Sequence, residues 1–199
     1  MRVKDYISYS QFVVFQRGEE AYRKAYIFGY KFESKYIKFG SKIHEALELR
    51  KANDEDERTA IEIIPRAQHG EVEISVVVDG VPIYGKIDGT MKTKKGYTIK
   101  EYKTSKGGWS QARADSSVQL TFYAIMMSSF YHIPIENIKI VLECLITYED
   151  TDGVMHLTGE KQSFTTKRTQ EDADKLMPKV KEAWVGIEKL VNEASKIKQ

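Results

Sequence analysis

The chain has 199 residues, 41% of them hydrophobic and 30% charged, with a net charge of +2. That is enough apolar material to bury a real core, and it excludes a disordered chain. The single cysteine, Cys144, excludes an internal disulfide and any cysteine-built zinc or iron–sulfur centre. No apolar run approaches the roughly 20 residues of a membrane span, and the amino terminus has no signal-peptide core, so a reducing, cytoplasmic setting is expected.

Charge is unevenly spread. From Lys86 to Arg113 there are eight basic residues (Lys86, Lys92, Lys94, Lys95, Lys100, Lys103, Lys106, Arg113) against two acids, Asp88 and Glu101. A field concentrated at one site can steer a polyanion.

In chain order, Ser8 or Ser10 can cap a first helix through Gln11–Phe15 that stops near Gly18. A second helical stretch carries Tyr22, Tyr26, Phe28, Tyr30, Phe32 and Tyr36, partly at three- and four-residue spacing, which predicts core packing. After Gly40 the segment SKIHEALELRKAN predicts a helix capped by Ser41, with Ile43, Ala46 and Leu47 buried and His44 at the edge of that face. Asn53 to Arg58 reads as an acidic loop.

From Glu71 the period changes to two. EVEISVVV is a strand, Asp79-Gly80 a hairpin turn, and VPIYGKIDGTMKT a second strand. Lys94-Lys95-Gly96 then turns the chain into a third strand, YTIKEYKTS. A loop of Lys94-Lys95 sets Asp88 opposite Glu101, and a loop of Lys95-Gly96 sets it opposite Lys103. Either places Asp88, Glu101 and Lys103 on one sheet face, whereas a three-residue loop does not. Opposed like charges destabilise a sheet, so an Asp–Glu pair calls for a cation.

Thr104 to Ala114 predicts a loop around Trp109. Asp115 or Ser116 then caps a helix that Pro134 ends. Gln119 and Tyr123 stand at i and i+4 on this helix, where Gln119 can bond a neighbouring backbone or face the acidic site. IKIVLECLITYE is a central strand, Asp152-Gly153 turns it into an antiparallel partner, and Thr169 starts a final amphipathic helix to about Ala194. The order predicts an α/β fold with a mixed central β-sheet flanked by helices, preceded by a helical part over residues 1–60, with no domain boundary.

Oxygen ligands such as Asp88 and Glu101 suit magnesium or manganese, and a lysine beside them stays protonated and able to hold a water or a phosphate. No phosphate-binding glycine loop and no nucleophile elbow is present.

Four short motifs, each weak alone, follow one another in order: G-x-x-x-H (Gly40 to His44), G-x-I-D (Gly85 to Asp88), E-Y-K-T (Glu101 to Thr104) and Q-x-x-x-Y (Gln119 to Tyr123). Together with S-x-S-Q (Ser8 to Gln11), this pattern resembles the RecB-type branch of the PD-(D/E)xK nucleases over about residues 8–125. The resemblance implies a restriction-endonuclease-like core forming a single nuclease domain over residues 1–199. It also implies a magnesium- or manganese-dependent deoxyribonuclease leaving a 5′-phosphate. His44, Asp88, Glu101 and the Tyr102 carbonyl would ligate the metal. Lys103 would be the catalytic lysine, and Gln119 and Tyr123 would complete the site.

Lys106, Trp109 and Arg113 are candidates for contacting the strand near the cut. With one cysteine the chain departs from the iron–sulfur members, and Glu101 stands where Asp is commoner. The expectation is a stand-alone nuclease, a homo-oligomer or a subunit of a recombination complex. It would act on single- or double-stranded DNA as an exonuclease in recombination, repair or viral DNA processing. The alternatives are a restriction or junction-resolving endonuclease and a non-catalytic nucleic-acid-binding module.

Overall fold

The structure is a computed structural model and describes residues 4–196; the terminal residues of the expected domain span lie outside that range. Helix α1 (Tyr9–Gln16) opens on a capping box. Ser8 accepts from the Gln11 backbone N–H, and the Gln11 side chain accepts from the Ser8 N–H at 2.9 Å. Buried Gln11 also donates to the Tyr22 hydroxyl at 3.1 Å. The Ser8-x-Ser10-Gln11 motif is therefore accounted for by chain folding.

Helix α2 (Glu19–Tyr22) runs into one turn of π-helix, Arg23–Ile27, and the helical path ends there. The expected aromatic core face is formed only in its first part, where Tyr26 stacks on Tyr22 against the core. Tyr22 is buried, but Phe28, Tyr30 and Phe32 fall on an exposed connection and Tyr36 on the exposed side of the next helix. That helix, α3 (Lys35–Leu49), is capped by Ser34, so Gly40 and Ser41 lie inside it. Gly40 has a packing reason for its place, since a Cβ there would stand 3.3 Å from Thr104 Oγ1.

The expected acidic loop is instead the start of helix α4 (Glu55–Ile63), capped by Asp54. Glu55, Asp56 and Glu57 fill its first turn, where carboxylates complement the helix dipole. Arg50, in the left-handed conformation that ends α3, donates to the Ile61 and Ile64 carbonyls and locks the two helices together.

Strands β1 (Val72–Val78) and β2 (Val81–Ile87) form an antiparallel hairpin. Asp79 and Gly80 both have positive φ (51° and 79°), as a two-residue primed turn requires. The long second strand of the sequence reading is divided at Asp88. β2 pairs with β1 and bridges to Ile7, whereas β3 (Gly89–Lys92) pairs with β4 (Tyr97–Ser105) in a separate sheet. That sheet has the order β3-β4-β5-β6, with β4 parallel to β5 (Ile138–Glu149) and β5 antiparallel to β6 (Met155–Lys167). It is mixed and flanked by helices, as the sequence predicts.

Between β4 and β5, the expected loop contains a short helix α5 (Gln111–Asp115). Helix α6 (Val118–Tyr131) follows, with Ser117 rather than Asp115 or Ser116 at its cap. It stops at His132 in a left-handed conformation, two residues before Pro134. Helix α7 (Gln170–Lys196) closes the described chain.

One face of the four-stranded sheet packs Ile99, Ile140, Leu142 and Cys144 against α6, α7, α1 and the β1–β2 hairpin. The other packs Tyr102, Leu145 and Leu157 against α3 and α4. Each face thus buries an apolar helix stripe, which is the physical basis of the layered α/β architecture.

Candidate active site

The β3–β4 turn decides the site. Thr93 N–H donates to the Gly96 carbonyl at 2.8 Å, and Gly96 N–H donates to Thr93 Oγ1 at 3.1 Å, closing a two-residue Lys94-Lys95 loop. The register then runs Gly89↔Lys100, which continues to set Asp88 opposite Glu101. Asp88 itself lies in the bend after β2, and its Oδ2 accepts the Tyr102 backbone N–H at 2.7 Å. The division of the strand gives Asp88 this position, because β3 ends and a carboxylate takes over the edge of β4.

Glu101 and Lys103 project from β4 toward the α6 side, and His44 arrives from α3 on the opposite layer. Lys103 Nζ lies 2.5 Å from Glu101 Oε1, and Gln119 Nε2 donates to the same oxygen at 2.9 Å. Gln119 also stands 3.0 Å from the Tyr123 hydroxyl. Of the two roles open to it, Gln119 takes the one facing the acidic site. His44 Nδ1 lies 3.4 Å from Asp88 Oδ1.

All six side chains that the sequence singled out as catalytic or metal-binding therefore gather at one place. The Tyr102 carbonyl enters the ligand set only through the family resemblance.

Burial and charge leave their mark on this group. Glu101 is almost wholly buried, and burial first, then the Asp88 carboxylate, push its pKa from 4.5 up to about 7 despite Lys103. Burial pulls the Lys103 ammonium down, but Glu101 and Asp88 outweigh it and the net direction is upward, so Lys103 is a cation. Burial also opposes charging of His44, yet Asp88 raises its pKa above the ordinary value. The Tyr123 hydroxyl is held in its neutral form by burial and by the charge of Glu101.

Glu101 Oε2 is fully buried with no hydrogen-bond partner. An orphaned carboxylate oxygen is costly, and a bound cation would satisfy it. Two carboxylates and an imidazole are donors that suit a hard divalent ion. Among the described residues, no three His, Cys, Asp or Glu side chains enclose such a site unaided. Backbone, water or phosphate oxygens would have to complete the shell, as is usual for magnesium.

Two hollows meet over Lys103 and Thr104. The larger, of about 830 Å³, is bordered by Ile37, Gly40, His44, Glu45, Glu48 and Leu49. The smaller, of about 470 Å³, is bordered by Tyr9, Trp109, Arg113 and Gln119. The Arg113 guanidinium lies 4.0 Å from the centre of the Trp109 ring, and Trp109 N–H is anchored by Gln162 at 2.9 Å. Lys106 is exposed just past β4 and borders neither hollow.

Sequence reasoning missed Tyr9 and Arg168. Tyr9 is the unassigned position of Ser8-x-Ser10, at the first turn of a capped helix, and that placement was the available signal. Buried Arg168 donates to Thr121 Oγ1, Thr166 Oγ1 and the Lys167, Ala114 and Ser117 carbonyls. It pins the entry to α6, two residues before Gln119. No sequence signal marks it, because its partners come from three separate elements.

A mixed sheet with helices on both faces, carrying Asp88 at a strand break and Glu101 and Lys103 on the neighbouring strand, has the form of a restriction-endonuclease-like fold. The chain belongs to the PD-(D/E)XK nuclease superfamily, whose family model matches residues 52–198. No curated protein is significantly similar in sequence. Among solved structures, that of SSO0001 superimposes with a TM-score of 0.42 at 14% identity, covering 100% of this chain and 79% of that one. A likeness so distant carries no argument about this chain. Membership of the superfamily makes the chain a nuclease in general terms, with nucleic acid as substrate and a divalent metal as the usual cofactor.

Proposed function

We propose that the chain is a RecB-type, magnesium- or manganese-dependent deoxyribonuclease, most simply an exonuclease that processes DNA ends in recombination or repair. The observation that carries this reading is the buried, unpartnered Oε2 of Glu101, beside Lys103, which with His44 borders the open hollow. His44, Asp88, Glu101 and the Tyr102 carbonyl would hold the ion. When bound, it would acidify a water and offset charge on the scissile phosphate.

The chain's own groups do the rest. Lys103, held against Glu101 at 2.5 Å, is a cation bordering both hollows, where it can donate to the attacking water or to a non-bridging phosphate oxygen. Gln119 fixes the Glu101 carboxylate by one bond and ties it to Tyr123, so that the ligand does not turn away from its neighbours. His44 and the Tyr102 N–H hold the two oxygens of Asp88. Trp109 and Arg113, stacked on each other beside the smaller hollow, would contact the strand past the cut. Lys106 would add long-range attraction.

The test is cleavage of end-labelled linear and circular DNA with magnesium or manganese, beside Lys103→Ala and Asp88→Ala. Lys103→Ala should lower the rate about 10²–10³-fold, as loss of a preorganised donor does elsewhere. Equal cleavage by wild type and both variants would refute the site. Survival of circular DNA while linear DNA is degraded would select exonuclease over endonuclease. Binding without any cleavage would favour a non-catalytic module.

A further inference from the structure

Five large apolar side chains stand exposed within ten residues: Phe28, Tyr30, Phe32, Tyr36 and Ile37, at 66, 72, 84, 51 and 49% of their full exposure. Folding buries such groups unless they have another use, and a patch this dense marks an interaction surface. Phe28 ends the π-turn, and Tyr30 and Phe32 lie on the connection to α3 between Gly29, at φ 77°, and the Ser34 cap. Folding therefore leaves their rings directed away from either core.

We propose that residues 28–37 form a stacking platform for the unpaired bases of a single nucleic-acid strand and lead that strand into the hollow above Lys103. Three observations favour this occupant over a second copy of the chain or another protein.

Cations are interspersed with the rings (Lys31, Lys35 and Lys38, with Lys24 just before them) against one acid, Glu33, a composition that suits a single-strand platform. Lys24, Lys35 and Lys38 pair with Glu20, Glu149 and Glu33, but these are solvent-exposed pairs that a phosphate can replace at little cost. The patch is also continuous with the cleft, because Ile37 borders the same hollow as His44 and Lys103.

Finally, Glu45 and Glu48 also border that hollow. Carboxylates there repel the phosphates of either form, so the choice of a single strand rests on the flat rings, which offer contacts that only unpaired bases can accept. Tyr36 is partly committed, since its hydroxyl donates to Glu149 at 3.3 Å, so Phe28, Tyr30 and Phe32 are the freer stacking surfaces.

The inference rests on the nuclease reading for what the hollow receives, and the experiment separates the two. Fluorescence anisotropy in EDTA, where cleavage is suppressed, would measure binding of a labelled 20-nucleotide single strand and of its duplex to wild type and to Tyr30→Ala/Phe32→Ala. Each lost ring should weaken single-strand binding about fivefold, so the double variant should lose roughly 25-fold, with duplex binding unchanged. Both residues are exposed, so the melting temperature should not move.

Unchanged single-strand affinity, or an equal loss for duplex, overturns the platform. So does wild-type self-association in sedimentation without DNA that the double variant abolishes. Lys103-dependent cleavage together with wild-type binding by the double variant removes the platform and leaves the nuclease reading standing. Loss of single-strand binding in a chain that cleaves nothing keeps the platform and removes the nuclease reading.

Discussion

Replacing Glu101 with glutamine should make the metal-free protein more stable while abolishing its chemistry. The carboxylate is buried, faces Asp88, and leaves one oxygen without a partner. Its pKa is raised by burial and by Asp88 from 4.5 to about 7. The folded state therefore holds the proton more tightly than the unfolded chain does. Below about pH 4.5 the group is neutral in both states and imposes no penalty. Between 4.5 and about 7 the unfolded chain ionises first, and stability falls as pH rises. Above pH 7 the full penalty applies, about 3 kcal/mol for a displacement of this size.

Glutamine keeps the shape and an acceptor for Lys103 but has no charge to bury. In EDTA at pH 8, Glu101→Gln should exceed wild type by up to about 3 kcal/mol, or about 2–4 °C in melting temperature per kcal/mol for a chain of this length. The gap should close toward pH 4.5. Added manganese should raise the melting temperature of wild type and leave the variant unmoved. Thermal melts from pH 4.5 to 8.5, with and without manganese, read all of this. A variant less stable than wild type at pH 8 in EDTA would refute the reasoning, because Lys103 would then more than offset the cost of burying Glu101.

Two further substitutions test the frame that holds the site. Arg168→Met removes five hydrogen bonds and leaves the Ala114 and Ser117 carbonyls without that donor, so it should cost at least about 3 kcal/mol in urea unfolding. Arg168→Lys should recover part of this. Gly96→Ala brings a Cβ to within 2.2 Å of the Asn137 carbonyl oxygen, a backbone atom that cannot step aside. It should destabilise the protein by about 1–3 kcal/mol and lower cleavage through a displaced β3–β4 hairpin, as seen in amide chemical shifts of Asp88 and Glu101.

Much of the site was legible because it depends on local rules. The two-residue turn at Lys94-Lys95 fixes the parity of two short strands, which sets Glu101 and Lys103 on one face and brings the residue before β3, Asp88, to the edge of β4 beside them. Helical spacing did the same for Gln119 and Tyr123, whose side chains meet at 3.0 Å. The missed helix α4 also had a local signal, since Asp54 followed by three acids is an N-terminal pattern. Its acidity reads equally well as a loop, and only burial of Ala60 against Leu47 and Ile64 resolves the ambiguity.

The sequence by itself determined most of the strand and helix periods and the set of polar groups able to hold a cation, and it narrowed the β3–β4 turn to a few registers among which the structure chose the Lys94-Lys95 loop. Tertiary structure alone decided the rest. It broke the long strand at Asp88, because β2 finds its partner in β1 and β3 finds its own in β4. It brought His44 from one layer and Gln119 from the other to the same strand end. It left the aromatic run of residues 28–37 outside both cores, although spacing predicted it inside. Periodicity specifies which side chains share a face, but which surface covers that face depends on partners far away in the chain.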